Sequence, residues 1–147
     1  MKRLLPPIFF VLCLVAMGFS HLFFPIAQFF SWPASAFGAI PLMLGLLIAS
    51  KGARQFKREG TNIRTFDDPD KFVTEGLFRY SRNPMYLGFA LAAFGAAIVF
   101  GCLTSFAIAL THLVVLDRWY IRFEEQRMAM RFGEEYRIYK SRVRRWL

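Results

Sequence analysis

The chain predicts an all-α, integral membrane architecture of four transmembrane helices, with a tight hairpin between the third and fourth and a C-terminal amphipathic surface helix. Three observations point there. Apolar residues make up 56% of 147 positions and aromatics 18%, Phe alone contributing 18, more apolar surface than a soluble domain of this size can bury. Three long stretches carry no Asp, Glu, Lys or Arg: Leu4 to Phe24, Pro33 to Ser50, and Asn83 to Leu116. All 19 Lys and Arg fall outside these stretches, in three clusters.

The first two stretches, taken as spans 4–24 and 33–50, each match the roughly 20 apolar residues that cross about 30 Å of hydrocarbon. Met1-Lys2-Arg3 before an apolar run also fits a cleaved leader, with Ala16 and Gly18 as small residues, but later spans favour a first transmembrane helix. The third stretch would be about 51 Å long as one helix, too long even when tilted. Divided at Gly101-Cys102-Leu103-Thr104-Ser105, its turn-like break, it gives spans 84–100 and 104–120. A three-span alternative would place the basic C-terminal tail opposite the other basic clusters. With four spans, two basic residues precede the first, eight lie between Lys51 and Arg82, and nine follow from Arg118, all on one side. The positive-inside rule makes that side cytoplasmic, with both termini on it.

On that side, KGARQFKREG extends the second helix to Gly60, and a mixed-charge segment with a turn signal at Asp67-Asp68-Pro69-Asp70 follows. The next stretch is GLFRYSRNPMYLG, Gly76 to Gly88. Asn83 suits a helix N-cap and Pro84 the first helical position. A helix start carries unpaired N–H groups and partial positive charge, a seat for a carboxylate or phosphate, and Arg79 and Arg82 stand beside it; anchoring at lipid head groups is the plainer role for these arginines. Beyond the fourth span, Glu124 and Glu125 are carboxylates close to the bilayer, costly unless paired. The hairpin brings Arg82–Tyr86 against Tyr120–Glu125, cations on one wall and carboxylates on the other, a pocket suited to a zwitterion. After Gly133, Tyr136, Tyr139, Val143 and Trp146 recur at spacings of three and four, predicting a helix that lies on the membrane. His112 is a titratable residue inside the fourth span and a functional candidate on that ground; His21 is read as structural.

Net charge is +9, but the basic residues flank spans, so anionic lipid head groups explain them better than nucleic acid. Cys13 and Cys102 lie at different depths, and no CxxC, HExxH, P-loop or GxGxxG motif is present, so neither a disulfide nor a metal is expected.

GLFRYSRNPMYLG, an apolar hairpin, and then FEEQRMAMRFGEEYRIYKSRVRRW together resemble the isoprenylcysteine carboxyl methyltransferase and phospholipid methyltransferase superfamily. The resemblance spans residues 71–145, within a single domain of residues 1–147. It implies an integral membrane enzyme that moves a methyl group from S-adenosylmethionine to a lipid-like or membrane-partitioned acceptor. It places cofactor binding on Lys71, Phe72, Val73, Phe78, Arg82, Asn83, Pro84, Tyr86, Glu124 and Glu125, with Arg82, Tyr86 and Glu124 at the chemistry. Tyr120, Arg122 and His112 are the substrate-side candidates. Asn83 stands where the family has His, and Tyr120 where the isoprenylcysteine enzymes have Arg. Two other readings stand beside this one: an NADPH-dependent membrane reductase of the sterol type, and a non-catalytic membrane protein.

Overall fold

A computed structural model describes residues 4–60 and 72–147; Lys71, one of the expected cofactor ligands, lies outside the described residues. The described residues are helical, without a strand. The helices are α1 (Pro6–Phe23), α2 (Ala39–Arg58), α3 (Pro84–Phe100), α4 (Leu103–Val115) and α5 (Arg122–Arg142). A 3-10 turn, Ala34–Gly38, leads into α2, and a second, Gly76–Arg79, precedes α3. Two helical segments are long and apolar enough to cross a membrane, Pro6–Phe23 with 18 residues and Ala34–Arg58 with 25; α3 is apolar but has 17.

The α2–α3 contact is the closest in the molecule. Gly38, Gly45 and Gly52 recur every seven residues and so share one face of α2 and the turn before it. A Cβ on Gly45 would collide with the backbone of Gly88 and Ala92 on α3, and one on Gly95 with the backbone of Leu42. The backbones therefore approach as they do in small-residue transmembrane packing. On its other side α3 presents Ala93, Ala96 and Ala97 to Phe10 and Met17 of α1 and Ala109 of α4, all buried. Large side chains thus fill the space that α3 leaves beside small ones.

Only Gly101 and Cys102 separate α3 from α4. Gly101 is left-handed (φ +71°) and donates its N–H to the Ala97 carbonyl, a glycine C-cap. The α1–α2 connection closes over this turn: Leu103 N–H donates to the Ile26 carbonyl (3.0 Å), and Gln28 Nε2 to the Phe100 carbonyl (3.1 Å). The fourth expected span is not an isolated helix. A π-helical segment, Leu116–Ile121, carries α4 directly into α5, so one helical run extends from Leu103 to Arg142 with a break at Gly133 (φ 50°, ψ −117°).

Two local expectations are corrected. Asn83 occupies the N-cap position but makes no side-chain capping bond; its Nδ2 donates instead to the Arg145 carbonyl at 3.1 Å. The aromatic face after Gly133 turns toward the protein: Tyr136 and Tyr139 are buried, stacking edge-on against Phe72 at 5.9 and 5.2 Å. A three-four aromatic spacing fits a protein-facing stripe as well as a lipid-facing one.

Candidate functional site

The site forms where three stretches distant in sequence converge: the segment before α3, the π-helix with the first turn of α5, and the residues after α5. The first stretch is fastened to the bundle. Gln55 of α2 donates to the Glu75 carbonyl (2.7 Å) and accepts from Leu77 N–H (3.3 Å). Phe78 is buried, stacks on Phe56 with ring centroids 4.7 Å apart, and accepts the Tyr139 hydroxyl on its carbonyl at 2.6 Å. Phe72 stacks on Phe132 at 5.2 Å; Val73 is half-buried and Pro84 buried.

The chain end then runs alongside. Val143 is extended. Arg82 N–H donates to the Arg144 carbonyl (3.0 Å), while Ser81 Oγ and Asn83 Nδ2 donate to the Arg145 carbonyl (3.3 and 3.1 Å). Ser81 Oγ also accepts Asn83 N–H at 3.1 Å. Arg82 is thereby fixed at both its own backbone and its neighbours'.

Five charged side chains meet in the space so framed. Arg82 Nη2 lies 3.1 Å from Glu125 Oε1, with the two side chains only 8% and 9% exposed. Arg145 grips the same carboxylate with two bonds, Nε to Oε1 (3.1 Å) and Nη2 to Oε2 (2.7 Å), and places Nη1 on Asp117 Oδ1 (3.1 Å). Trp146 Nε1 donates to that Asp117 oxygen (3.1 Å), and Lys140 Nζ stands 3.7 Å from Glu125 Oε2. The hydrogen bonds to Glu125, foremost, hold the Arg145 guanidinium even more firmly protonated than usual. Burial pushes the Tyr136 hydroxyl up to about 12, with the Glu125 charge adding to it. Burial does the same for Tyr139, again to about 12, helped by Tyr136.

Arg82 is not satisfied by these partners. Its Nε and Nη1 are buried without a well-formed hydrogen bond among the described residues, the Tyr136 hydroxyl being the oxygen that stands near this guanidinium. A buried donor left without an acceptor costs about 1–3 kcal/mol, more for a charged group, so this guanidinium keeps an unmet demand for an acceptor. One turn into α3, the Tyr86 hydroxyl donates to Glu124 Oε1 at 2.6 Å. The Tyr86 ring is buried and stacks with Tyr120, centroids 6.3 Å apart.

Of the residues singled out from sequence, Arg82, Tyr86, Glu124, Glu125, Asn83 and Phe78 therefore converge. The substrate-side candidates separate. The Tyr120 ring touches Tyr86, and its hydroxyl donates to the Leu4 carbonyl at 2.8 Å. Arg122 is exposed. His112 is fully buried two turns away, between the rings of Phe9 (5.3 Å) and Phe10 (5.7 Å), and neither ring nitrogen has a partner among the described residues. Asp117, Tyr136, Tyr139, Arg145 and Trp146 were not foreseen as parts of the site. Their only trace in the sequence is that acidic and aromatic residues sit at helical spacing opposite the Arg-rich end.

Comparison with known proteins gives a consistent result. The family model for phospholipid methyltransferase matches residues 33–135. The chain is 36% identical over 75 residues to methanethiol S-methyltransferase 1 of Bradyrhizobium diazoefficiens, covering 51% of this chain and 25% of that protein. It is 30% identical over 117 residues to protein-S-isoprenylcysteine O-methyltransferase B of Arabidopsis thaliana, covering 76% and 58%. A probable protein-S-isoprenylcysteine O-methyltransferase of Oryza sativa is 29% identical over the same length, covering 76% and 60%. The chain spans between a quarter and three fifths of the length of these relatives.

Proposed function

The chain belongs to the phospholipid methyltransferase family, and from that premise we propose that it is an integral membrane methyltransferase using S-adenosylmethionine to methylate a lipid-like acceptor. The observation that carries the reading is Arg82: a nearly buried guanidinium at the start of α3, held at one nitrogen by Glu125, with Nε and Nη1 lacking a well-formed hydrogen bond. Those two donors lie on different edges of the planar group, so a ligand carboxylate can take a single charge-assisted hydrogen bond from either one. Arg82 receives the methionyl carboxylate, and Glu124, fixed by the Tyr86 hydroxyl, supplies negative charge for the neighbouring ammonium. S-Adenosylmethionine, when bound, supplies an electrophilic methyl group on a sulfonium.

The remaining work falls to positioning and exclusion of water. Phe78, Tyr86 and Tyr120 are buried rings, and a tyrosine face attracts a cation by about 0.5–2 kcal/mol. Phe72, Val73, Asn83 and Pro84 complete the cofactor wall, Glu125 takes part through its bond to Arg82, and Lys71 belongs to the wall on the resemblance alone. An acceptor carboxylate or thiolate needs no base, whereas a protonated amine must first lose a proton.

The topology proposed is four spans, comprising α1, α2, α3 and the α4 run, in one domain of residues 1–147 with both ends cytoplasmic. It is supported by the outward apolar side chains of α1 and α2, among them Ile8, Val15, Leu22, Ile40 and Leu47, and by the one-sided placement of basic residues beside anionic head groups. A cysteine placed at Ser31 should then react from outside and one at Ser141 from inside. The cofactor is tested by calorimetry on the full chain in lipid nanodiscs. Binding of S-adenosylmethionine and its demethylated product supports the reading; binding of NADPH in their place would replace it with a reductase.

A further inference from the structure

We propose that Arg145 is a positioning residue: by holding both oxygens of Glu125, it keeps the Arg82 guanidinium open for a carboxylate of the bound ligand. This rests on the reading that Arg82 receives the cofactor's carboxylate.

Glu125 is 8% exposed and is approached by three cations, in unequal ways. Arg145 engages it with a parallel fork, at 3.1 and 2.7 Å. Arg82 touches it at a single nitrogen, 3.1 Å away, and Lys140 stands at 3.7 Å. A buried carboxylate takes the best-aligned guanidinium within reach, because desolvation makes a charge-assisted pair strong and an unpaired charge costly. With Arg145 present, that demand is met and Arg82 needs only to lean on the carboxylate. With Arg145 gone, Arg82 is the nearest planar fork. Turning it onto Glu125 would satisfy Nε at the ligand's expense.

The rest of the tail is built to keep Arg145 in place. Its Nη1 rests on Asp117, which also accepts Trp146 Nε1, each at 3.1 Å. Its carbonyl accepts Ser81 Oγ and Asn83 Nδ2. One residue thus clamps the approach to α3 through its backbone and the start of α5 through its side chain.

The test is the affinity of S-adenosylmethionine for the full chain in phosphatidylcholine nanodiscs, measured for the wild type, Arg145→Gln, Glu125→Gln and the double variant. Loss of the fork should weaken binding about tenfold to a hundredfold. Removing the Glu125 charge in the same chain should recover most of that loss, because nothing then captures Arg82. A purely structural role predicts the reverse, a double variant weaker than either single one. Unchanged affinity in Arg145→Gln, or no recovery in the double variant, overturns the proposal and leaves the methyltransferase reading standing. A wild type that binds neither S-adenosylmethionine nor its product overturns both. Should Arg145→Gln fail to fold, Arg145→Lys keeps the charge without the fork. It should bind about tenfold more weakly with its melting temperature kept, and wild-type affinity there also overturns the proposal.

Discussion

The seam between α2 and α3 and the charged cluster around Glu125 hold the same helix, α3, at its flank and at its start, by opposite means. The seam has few side chains: Gly38, Gly45, Gly88 and Gly95 let two backbones meet, and only at Gly52 does a flexible side chain, Met85, lie in the gap. The cluster consists of the longest side chains in the sequence, Arg82, Arg145 and Lys140, joined through one carboxylate. Contact in the seam is set by steric fit, which tolerates no added atom. In the cluster it is set by charge and geometry, which tolerate a change in stability better than a change in function.

Substitutions should separate the two. The largest effect is expected from Gly45→Val, whose side chain would drive into the Gly88 carbonyl and the Ala92 backbone. It should lose ~3 kcal/mol or more of stability, seen as a collapse of the melting temperature in detergent. A well-folded Gly45→Val would mean that the seam has slack. Next comes Arg82→Lys, which keeps the charge and loses the fork. Cofactor affinity should fall about tenfold to a hundredfold while the melting temperature moves little; Glu124→Gln should weaken binding comparably. Equal affinity in both would reduce the cluster to a membrane anchor.

Smaller effects test how tightly α5 closes on the cluster. Tyr139→Phe removes the hydroxyl that donates to Phe78 and should cost about 1 kcal/mol in denaturation. Burial of this tyrosine and of Tyr136 sets an alkaline limit. Tyr136 and Tyr139 are held neutral up to about 12 in the fold, against about 10 for a free tyrosine. Stability is therefore fully present below pH 10 and falls as pH rises through 12, by at most about 1.4 kcal/mol per pH unit for each tyrosine. Ultraviolet titration should show this pair ionising well above pH 10; ionisation near pH 10 would show that the tyrosines are not enclosed. Smallest of all, Arg144→Lys should leave affinity unchanged, because its side chain is exposed and only its carbonyl contacts Arg82.

The two regions also differ in how far they could be read in the chain. Two helix positions in the apolar half follow from the charge-free run Leu4 to Phe24 and from Pro84 and Gly101, and the structure places α1 and α3 within two residues of those limits. The meeting of Arg82 with Glu125, and of Tyr86 with Glu124, was legible because a two-residue turn leaves the outer ends of consecutive helices together. Arg145 was not, since its bonds reach across 20 residues to Glu125 and 62 to Asn83, and no local pattern encodes such a closure. The role of Asn83 was misread for the same reason: its capping position is local, whereas its partner is remote. Tyr136 and Tyr139 show that a spacing fixes a helical face without naming what covers it.

The π-helical segment Leu116–Ile121 acts as a phase shifter. Down α4 the buried positions run Ser105, Ala109, His112 and Leu116, in steps of four, three and four, and then jump to Tyr120, Ile121 and Glu125. One residue more than an α-helical turn requires has been looped in, and each residue rotates the helix by about 100°. Uninterrupted α-helix would bring Glu124 around to the azimuth that Glu125 now holds, and both carboxylates would be misdirected by one position. The apolar half of the helix and its acidic continuation are therefore indexed independently. One can drift in sequence to suit a different bilayer or acceptor while the other keeps its bearing on Arg82.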